Sequence, residues 1–235
     1  MRDKIRALVL SIEDYRDNDL MLKCLSKNDG FVTIISKSAK KISTSSHYYP
    51  GNIYEFIIDL KDNKTMYLSL GNKLIKNYYD INNLKLLAFK NVLFELCLKS
   101  KELYVPDLYT NLEILLQQIS DENMYLLGTL FISYCLRLHG LSPQVDGCVV
   151  CQNKKVVGIS ASLGGFVCEN HLLSNKRLDA EVLKKFRLIN KANFQNYDLI
   201  KDVEYKKDDF KIMMDFFIYN TELNIKTFDF YCRMF

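Results

Sequence analysis

Cys148-Val-Val-Cys151 and Cys168-Glu-Asn-His171 are two short segments, sixteen residues apart, that carry the ligand types of tetrahedral zinc. Two residues between ligands allow one tight turn to direct both side chains at a single ion. The intervening residues favour two short strands, Val156–Ser160 and Gly165–Cys168, joined around Gly164. The sequence therefore predicts a zinc-bound β-hairpin. Four protein ligands leave no position for water, so we expect one structural zinc ion per chain.

Other interpretations of these cysteines stay open. They could be core cysteines without metal, or Cys148 and Cys151 could form a redox dithiol. Redox pairs usually begin a helix after a strand, whereas Pro143 and Gly147 indicate a loop here. A zinc deaminase also uses a Cys-x-x-Cys pair but needs a His-x-Glu segment upstream. Neither His47 nor His139 is followed by glutamate two residues later, which disfavours that enzyme.

The composition is typical of a soluble globular protein with one large or two modest domains. Of 235 residues, 49% are apolar and 26% are charged, and the net charge of +4 permits nucleic-acid binding without requiring it. The seven cysteines are an odd number, which favours a reducing compartment. The apolar run after Met1 is too short for a signal peptide, and Tyr125–Leu138 is interrupted by Arg137. We therefore expect a cytoplasmic protein without a membrane segment.

Residues 1–80 contain five short runs rich in β-branched and aromatic residues, separated by turn-forming residues. The predicted strands are Ile5–Ile12, Leu20–Ser26, Phe31–Ser36, Ile53–Leu60 and Thr65–Leu70. Five strands in about eighty residues predict a small closed β-barrel, and the OB-fold is the commonest such barrel that binds single-stranded nucleic acid. Spacing alone does not distinguish it from an SH3-like barrel.

The segment between the third and fourth predicted strands is basic and aromatic. From Phe31 to Tyr54 the chain has no acidic residue, and its lysines are Lys37, Lys40 and Lys41. Lysines pair with phosphates, and tyrosines such as Tyr48 stack on unpaired bases. The segment therefore has the composition of a loop that binds nucleic acid. A solvated loop, with its tyrosines anchoring the next strand, is the alternative.

From Leu84 onward the apolar pattern predicts helices. The predicted helical stretches are Leu84–Tyr104, Asp107–Ile119, about 121 to Leu138, Asp179–Asn193, Lys207–Tyr219 and Lys226–Phe235. The third of these is apolar on nearly every side, as expected at the centre of a bundle. Arg137 near its end could bind a partner, although a cation at a helix C-terminus is more often a dipole partner.

The sequence contains no recognisable catalytic constellation. Gly-rich phosphate loops of Walker or Rossmann form and the Gly-x-Ser-x-Gly segment are absent. The acidic pairs Glu13-Asp14 and Asp208-Asp209 fall at predicted turns or helix starts, where capping explains them. We therefore expect a binding protein rather than an enzyme.

The chain resembles the bacterial RecO family of recombination mediators along almost its full length. The N-terminal similarity lies in Ala7–Leu20, Lys27–Gly30 and Ile35–Lys41, which follow the family pattern of strand, Tyr-x-x-x-Asp turn, glycine and basic loop. The second similarity is more specific. His139–Cys151 and Ser160–Cys168 resemble the Gly-x-x-Pro-x-x-x-x-Cys-x-x-Cys and Gly-Gly-x-x-Cys signatures of the family.

The chain departs from the family pattern at two positions. Ser38 stands where the family often has glycine in the basic loop, which affects loop conformation but not charge. His171 stands where a fourth cysteine ligand is more usual, and histidine is an acceptable zinc ligand.

The resemblance implies an α+β protein: a five-stranded OB-fold β-barrel at residues 1–80, then an α-helical domain at 81–235. The zinc-bound β-hairpin is expected as an insertion at about 141–173. The resemblance further implies binding of single- and double-stranded DNA and annealing of complementary strands. The implied partners are RecR, the acidic C-terminal tail of single-stranded DNA-binding protein and, indirectly, RecA, in a cytoplasmic and nucleoid-associated setting.

The residues predicted to act form three groups. The expected zinc ligands are Cys148, Cys151, Cys168 and His171. The expected DNA-binding residues are Lys37, Lys40, Lys41, Arg6, Lys23 and Tyr48. Arg137 is a candidate contact for the tail of single-stranded DNA-binding protein. The competing hypothesis is a zinc-containing scaffold or regulator whose barrel binds protein, without annealing activity.

Overall fold

Seven strands and six α-helices lie in the part of the chain that the structure describes. This computed structural model describes residues 2–41, 48–59, 66–101, 107–174 and 176–235. The strands are β1 (Arg2–Tyr15), β2 (Asp19–Ser26), β3 (Gly30–Ser36), β4 (Ile53–Asp59), β5 (Met66–Lys76), β6 (Val156–Ser160) and β7 (Gly165–Cys168). The helices are α1 (Leu84–Lys99), α2 (Leu108–Gln118), α3 (Met124–Leu138), α4 (Ala180–Lys191), α5 (Lys207–Thr221) and α6 (Lys226–Met234).

The chain divides into two compact units. The first consists of Met1–Gln118 together with Lys226–Phe235, and the second is Ile119–Ile225. The sequence analysis instead placed one domain at residues 1–80 and a second at 81–235, and this division stays a prediction.

The first unit contains a closed barrel in the order β1-β2-β3-β5-β4, closed by pairing of β1 with β4. All neighbouring strands are antiparallel except β3 and β5, which run parallel. A closed five-stranded barrel of this kind is OB-like, and it confirms the predicted fold class. Residues 42–47 of the predicted DNA-binding loop and residues 60–65 between β4 and β5 lie outside the described residues.

Every second side chain of β1 from Ile5 to Val9 points into the barrel core. Ile5, Ala7 and Val9 are buried in its core together with Phe56 and Ile58 of β4. Strand β1 pairs with β4 from Arg2 to Leu8 and with β2 from Ala7 to Tyr15, and the β1–β2 register shifts between Val9 and Ser11. A bulge bends a strand, and this bend allows β1 to pair with β4 on one side of the barrel and with β2 on the other.

Helices α1 and α6 pack together in the first unit. The rings of Phe89 and Tyr231 meet edge to face with centroids 5.5 Å apart. The Glu95 carboxylate accepts hydrogen bonds from the backbone N–H of Thr227 (2.8 Å) and Lys226 (3.2 Å) at the start of α6. A carboxylate at a helix N-terminus satisfies free N–H groups and complements the dipole, so α6 is firmly placed on α1.

The second unit is built around α3. This helix is buried on nearly every side and packs against α4 and α5, as its apolar sequence predicted. It gives way to Gly140, which has a φ of +70° that favours glycine. Among the described residues, no helix is long and apolar enough to cross a membrane.

Most predicted elements lie within a few residues of their observed bounds. Helix α1 ends at Lys99, whereas the predicted stretch ran to Tyr104, and residues 102–106 lie outside the described residues. Two further elements differ. Strand β5 continues six residues beyond the predicted Leu70, to Lys76, because its polar second half remains paired with β4. The 3-10 helix at Phe194–Leu199 was not predicted. It begins at Asn193, whose side chain accepts a hydrogen bond from the backbone N–H of Asn196. Neither difference alters the barrel or the hairpin.

Candidate metal centre and nucleic-acid interface

The predicted metal ligands converge in the second unit. The donor atoms of Cys148, Cys151, Cys168 and His171 all lie within 4.8 Å of one another. The Sγ atoms of Cys151 and Cys168 are 3.6 Å apart, and His171 Nδ1 lies 3.5 Å from Cys148 Sγ and 3.3 Å from Cys168 Sγ. In a tetrahedral zinc site, neighbouring sulfur and nitrogen ligands are about 3.5–3.8 Å apart. The donor set therefore fits a single metal ion.

Two local turns aim these ligands. The backbone N–H of Gln152 donates to the carbonyl of Cys148 (2.8 Å), and the N–H of Cys148 donates to the carbonyl of Asn153 (2.9 Å). This turn places Cys148 and Cys151 side by side. After β7, the 3-10 helix Glu169–His171 follows directly on Cys168 and places the His171 imidazole beside Cys168 Sγ. Two residues between ligands are therefore enough at each turn.

The environment of Cys148 favours its thiolate. Burial raises the pKa of this thiol, but backbone hydrogen bonds from Cys151, Cys168 and Val150 outweigh burial and lower its pKa to about 6. Metals bind the thiolate rather than the thiol, so this turn prepares a ligand. The thiol of Cys135 behaves differently, because burial raises its pKa to about 12. Cys135 is therefore an apolar core residue.

The hairpin is anchored to the helices of its own unit. Phe166 of β7 packs on Phe186 of α4, with ring centroids 5.8 Å apart. Asp146, just before the first ligand pair, binds Arg187 (2.9 Å) and Lys191 (2.6 Å) of α4. These contacts hold the pKa of the Asp146 carboxyl below its ordinary value. Ring packing and ion pairs thus fix one small hairpin on one helix.

In the first unit, the basic loop after β3 is tied to the turn between β1 and β2. The N–H of Lys40 donates to the Asn18 carbonyl (3.1 Å), and the N–H of Ser38 donates to Asp19 Oδ1 (2.8 Å). Ser38 has a φ of +54°, in the left-handed region that favours glycine. Glycine adopts this backbone conformation without a steric penalty, so it suits the position that Ser38 occupies here.

A groove of about 310 Å³ opens at this end of the barrel. Its lining includes the cations Arg16 and Lys37 and the aromatic side chains of Tyr15 and Tyr67. The Arg16 guanidinium lies 5.2 Å from the ring centroid of Tyr15. Asp19 and Asp59 also line the groove, and Oδ1 of Asp19 accepts the Ser38 N–H. Cations beside aromatic rings are the groups that bind phosphates and unpaired bases.

Sequence reasoning missed three of these groove residues: Tyr15, Arg16 and Tyr67. The signal for the first two was present in the Tyr-x-x-x-Asp turn, which was read as a family marker rather than as a site. Tyr67 gave no such signal, because only closure of the barrel places the start of β5 beside the end of β3.

Three predicted DNA-binding cations already have carboxylate partners. Lys40 pairs with Asp14 (2.9 Å), and Lys23 pairs with Glu13 on the outer side of β1 and β2. Arg6 pairs with Glu113 of α2 (3.3 Å). Arg6 precedes Tyr15 by nine residues, which corresponds to about 30 Å along a strand. The structure therefore brings Lys37 and Lys40 to one end of the barrel and leaves Arg6 far along β1.

Lys41 and Tyr48 border the undescribed residues 42–47. Lys41 is exposed. Tyr48 is only 6% exposed, with its hydroxyl 3.0 Å from Ser36 Oγ and accepting from Asn72 Nδ2 (2.8 Å). Its ring packs in the barrel core, so this placement does not favour the predicted stacking of a base on Tyr48. Here the alternative interpretation, a tyrosine that anchors the next strand, fits the contacts better.

Arg137 is half-buried at the end of α3. Its Nη1 donates to Ser133 Oγ (3.1 Å), which in turn bonds Asn190 Oδ1 (3.1 Å). Burial lowers the pKa of Arg137, and within the described ranges no carboxylate forms an ion pair with it. Arg137 is the basic residue in the last turn of α3, a position that also fits the alternative of a cation complementing the helix dipole.

Comparisons with known proteins agree with this geometry. Residues 1–78 match the family model described as Recombination protein O N terminal, and residues 80–217 match Recombination protein O C terminal. A protein from Lactobacillus helveticus named DNA repair protein RecO is 24% identical over 247 residues, covering 95% of this chain and 94% of that protein. A protein of the same name from Streptococcus agalactiae serotype Ia is 24% identical over 206 residues, covering 86% and 81%.

Proposed function

Because this chain belongs to the RecO family of DNA repair proteins, we propose that it is a recombination mediator. It binds single- and double-stranded DNA, anneals complementary strands and, with RecR, helps to load RecA onto DNA coated with single-stranded DNA-binding protein. The observation that carries this proposal is the groove at the barrel end, where Arg16 and Lys37 lie beside Tyr15 and Tyr67.

The groove suits binding that does not depend on sequence. Lys37 and Arg16 attract the phosphates of any strand, and each phosphate contact releases a bound counterion. Tyr15 and Tyr67 offer aromatic surface to unstacked bases, each of which has a π-face. Neither kind of contact reads the Watson–Crick edges, so the bases of a bound strand remain available for pairing.

Annealing needs no catalytic residue from the protein. Two complementary strands repel each other through their phosphates, and the barrier falls when cations stand between the backbones. Lys40 and Lys41 follow Lys37 in the basic loop and add positive charge beside the groove. The carboxylate of Asp14 holds Lys40 in place in the free protein and is exchanged for phosphate on binding.

The metal centre has a structural role in this proposal. Cys148, Cys151, Cys168 and His171 hold one zinc ion, and four protein ligands leave no open position for a substrate. Zinc supplies the link between the two ends of the hairpin, while Phe166 and Asp146 dock the hairpin on α4.

Arg137 contacts the acidic tail of single-stranded DNA-binding protein in this scheme. The half-buried guanidinium has a donor already oriented by Ser133, and a tail carboxylate supplies the missing counter-ion. Arg137→Ala is expected to weaken binding of a tail peptide at least tenfold. Arg233→Ala, at an exposed arginine of α6, is the matched control and should leave peptide binding unchanged.

A protein-interaction scaffold is the second candidate. A specific observation favours it: an apolar groove of about 440 Å³ lies between α1 and α6, with Leu84, Phe230 and Met234 exposed along it. Contiguous exposed apolar groups often mark protein-binding surfaces. In that case the barrel lysines are hydrated surface residues that bind no DNA.

Binding of fluorescent oligothymidine at low and rising salt separates the two candidates. A mediator binds at low salt, and the logarithm of its affinity falls linearly with the logarithm of salt concentration. No measurable affinity at low salt would reject the mediator and leave the scaffold.

A further inference from the structure

A second group of cations lies on the outer side of the barrel, away from the groove. In β1, Lys4 and Arg6 alternate with buried core residues and therefore face outward. In the strand register, Glu55 of β4 lies between Arg6 of β1 and Lys73 of β5. We call the set Lys4, Arg6, Glu55, Lys73 and Lys76 the flank face.

One carboxylate of α2 serves two cations of the flank face. Oε1 of Glu113 accepts from Lys76 Nζ at 3.0 Å and lies 3.3 Å from Arg6 Nη2. The Glu113 side chain is 19% exposed, whereas those of Arg6 and Lys76 are 47% and 36% exposed. The cations thus remain open to solvent while their shared acid lies beneath them.

Charge on this face is not balanced. Lys4 pairs with Glu55 at 2.9 Å, and Lys73 is exposed without an ion pair among the described residues. With Glu113 included, four cations face two carboxylates. The surface has a net positive charge and attracts an anion.

Two buried hydroxyls beside this cluster lack acceptors. The Tyr78 hydroxyl lies near Lys76, and the Tyr109 hydroxyl lies near Arg6 and Glu113. Lys76 and Arg6 can only donate, so neither hydroxyl has an acceptor for its own proton within the described part of the chain. Buried hydroxyls normally find partners, so Glu113 alone does not satisfy the donors gathered here.

We propose that the flank face is a second DNA-binding surface, on which a phosphate takes the place of the Glu113 carboxylate between Arg6 and Lys76. The inference rests on the proposed function and extends it. Arg6 lies nine residues before Tyr15 along β1, and Glu55 of the flank face lies four residues before the groove residue Asp59 along β4. One barrel then contacts DNA at two places.

Physical reasons favour this exchange. Arginine binds a phosphate through two parallel hydrogen bonds, whereas Arg6 contacts one oxygen of Glu113 through Nη2. Each new phosphate contact also releases a counterion from the DNA, a gain that an internal carboxylate does not provide. Glu113 therefore acts as an internal competitor of DNA.

The test measures oligothymidine binding over a range of salt concentrations for wild type and Glu113→Gln. Gln keeps the shape of the side chain but removes the competing charge. Asp107→Asn, at an exposed acid before α2, is the control for a general gain of positive charge. Oligomers of about 8 nucleotides, within the span of one OB-fold, are compared with oligomers several times longer.

We expect Glu113→Gln to bind DNA three- to tenfold more tightly than wild type, with a salt slope steeper by about 0.7–1. Asp107→Asn should change affinity less than twofold. A gain with both oligomer lengths indicates a separate strand on the flank face, and a gain with long oligomers alone indicates continuation of one strand from the groove. Equal affinity and slope in wild type and Glu113→Gln would overturn the inference.

Lys73→Ala keeps the test decisive if Glu113→Gln disturbs the packing of α2. Lys73 is exposed and outside every ion pair among the described residues, so its removal should not affect folding. The variant is expected to bind long DNA two- to threefold more weakly, and unchanged binding would contradict the inference. Wild-type protein that binds no DNA at all would instead reject the proposed function itself.

Discussion

The backbone N–H of Ser38 donates a 2.8 Å hydrogen bond to Oδ1 of Asp19. This bond joins the start of the basic loop to the turn between β1 and β2, so residues nineteen positions apart define one edge of the groove. It also holds Ser38 at a φ of +54°. Two of the three N-terminal segments that resemble the family pattern, Ala7–Leu20 and Ile35–Lys41, are therefore held together directly.

Replacing Ser38 tests this loop conformation. Ser38→Gly removes the steric penalty of the left-handed backbone and should leave stability unchanged or raise it by up to about 1 kcal/mol. Ser38→Val places a β-branched residue in the same conformation and should destabilise the protein by about 1–2 kcal/mol. Urea denaturation measures both. Equal stability of the two variants would show that the loop does not hold this conformation.

The groove cations should contribute individually to DNA binding. Lys37→Ala and Arg16→Ala are each expected to weaken single-strand binding several-fold and to reduce the salt slope by about 0.7. The control is Lys27→Ala, since Lys27 lies just after β2, at the opposite end of that strand from Asp19. Fluorescence anisotropy at several salt concentrations gives affinity and slope together. A loss as large in Lys27→Ala would mean that the charge effect is general rather than local.

Removal of the metal should destabilise the second unit. Elemental analysis of protein purified without added zinc is expected to give about one zinc per chain, and chelation should lower the melting temperature because binding energy contributes to folding. Cys168→Ser should lose the metal, whereas Cys232→Ser, outside the cluster, should keep it. Metal-free protein with unchanged stability would argue against a structural zinc.

Gly165 is expected to tolerate no side chain. A Cβ at this position would lie 2.2 Å from the carbonyl oxygen of Gln144. The Gln144 backbone cannot move away easily, because its N–H donates to the Gly164 carbonyl and its carbonyl accepts from the Phe166 N–H. Gly165→Ala should therefore destabilise the hairpin by several kcal/mol and reduce metal content. Gly164→Ala has open space and should cost only about 1 kcal/mol for its positive φ. Thermal denaturation and metal analysis of the two variants should differ clearly.

The pH dependence of stability should show the ion pair of Lys185. Burial lowers the pKa of Lys185, but hydrogen bonds to Glu181 and Asp209 outweigh it and raise the pKa above its ordinary 10.5. A raised pKa stabilises the fold below pH 10.5, and this contribution is lost as pH rises through the folded value. Between about pH 8 and pH 11.5, wild type should therefore lose more unfolding free energy than Lys185→Met. Parallel pH profiles would contradict this assignment.

The sequence predicted the barrel and the metal cluster well because both follow from local patterns. Alternation of apolar residues specified the strands, and the spacing of Cys148, Cys151, Cys168 and His171 specified a four-ligand cluster. The donor atoms needed only two turns and one hairpin to meet, so few non-local contacts had to be anticipated.

The DNA-binding surface was less predictable because closure of the barrel decides which side chains are neighbours. Tyr48 and Tyr67 both lie at the start of or before a strand, yet Tyr48 is buried in the core, whereas Tyr67 packs partly buried against the core and lines the groove. The ion pair of Arg6 with Glu113 joins residues 107 positions apart and left no local signal. Composition identified the basic loop but not which cations already had partners.

Annealing of complementary oligonucleotides coated with the cognate single-stranded DNA-binding protein tests the central claim most directly. The measurement follows duplex formation by energy transfer between labelled strands, with and without this protein, and again with RecR added. We predict faster annealing with wild type and a reduced rate with the variant in which Lys37, Lys40 and Lys41 are all alanine. The same slow rate with and without the protein, whether or not RecR is present, would contradict the account.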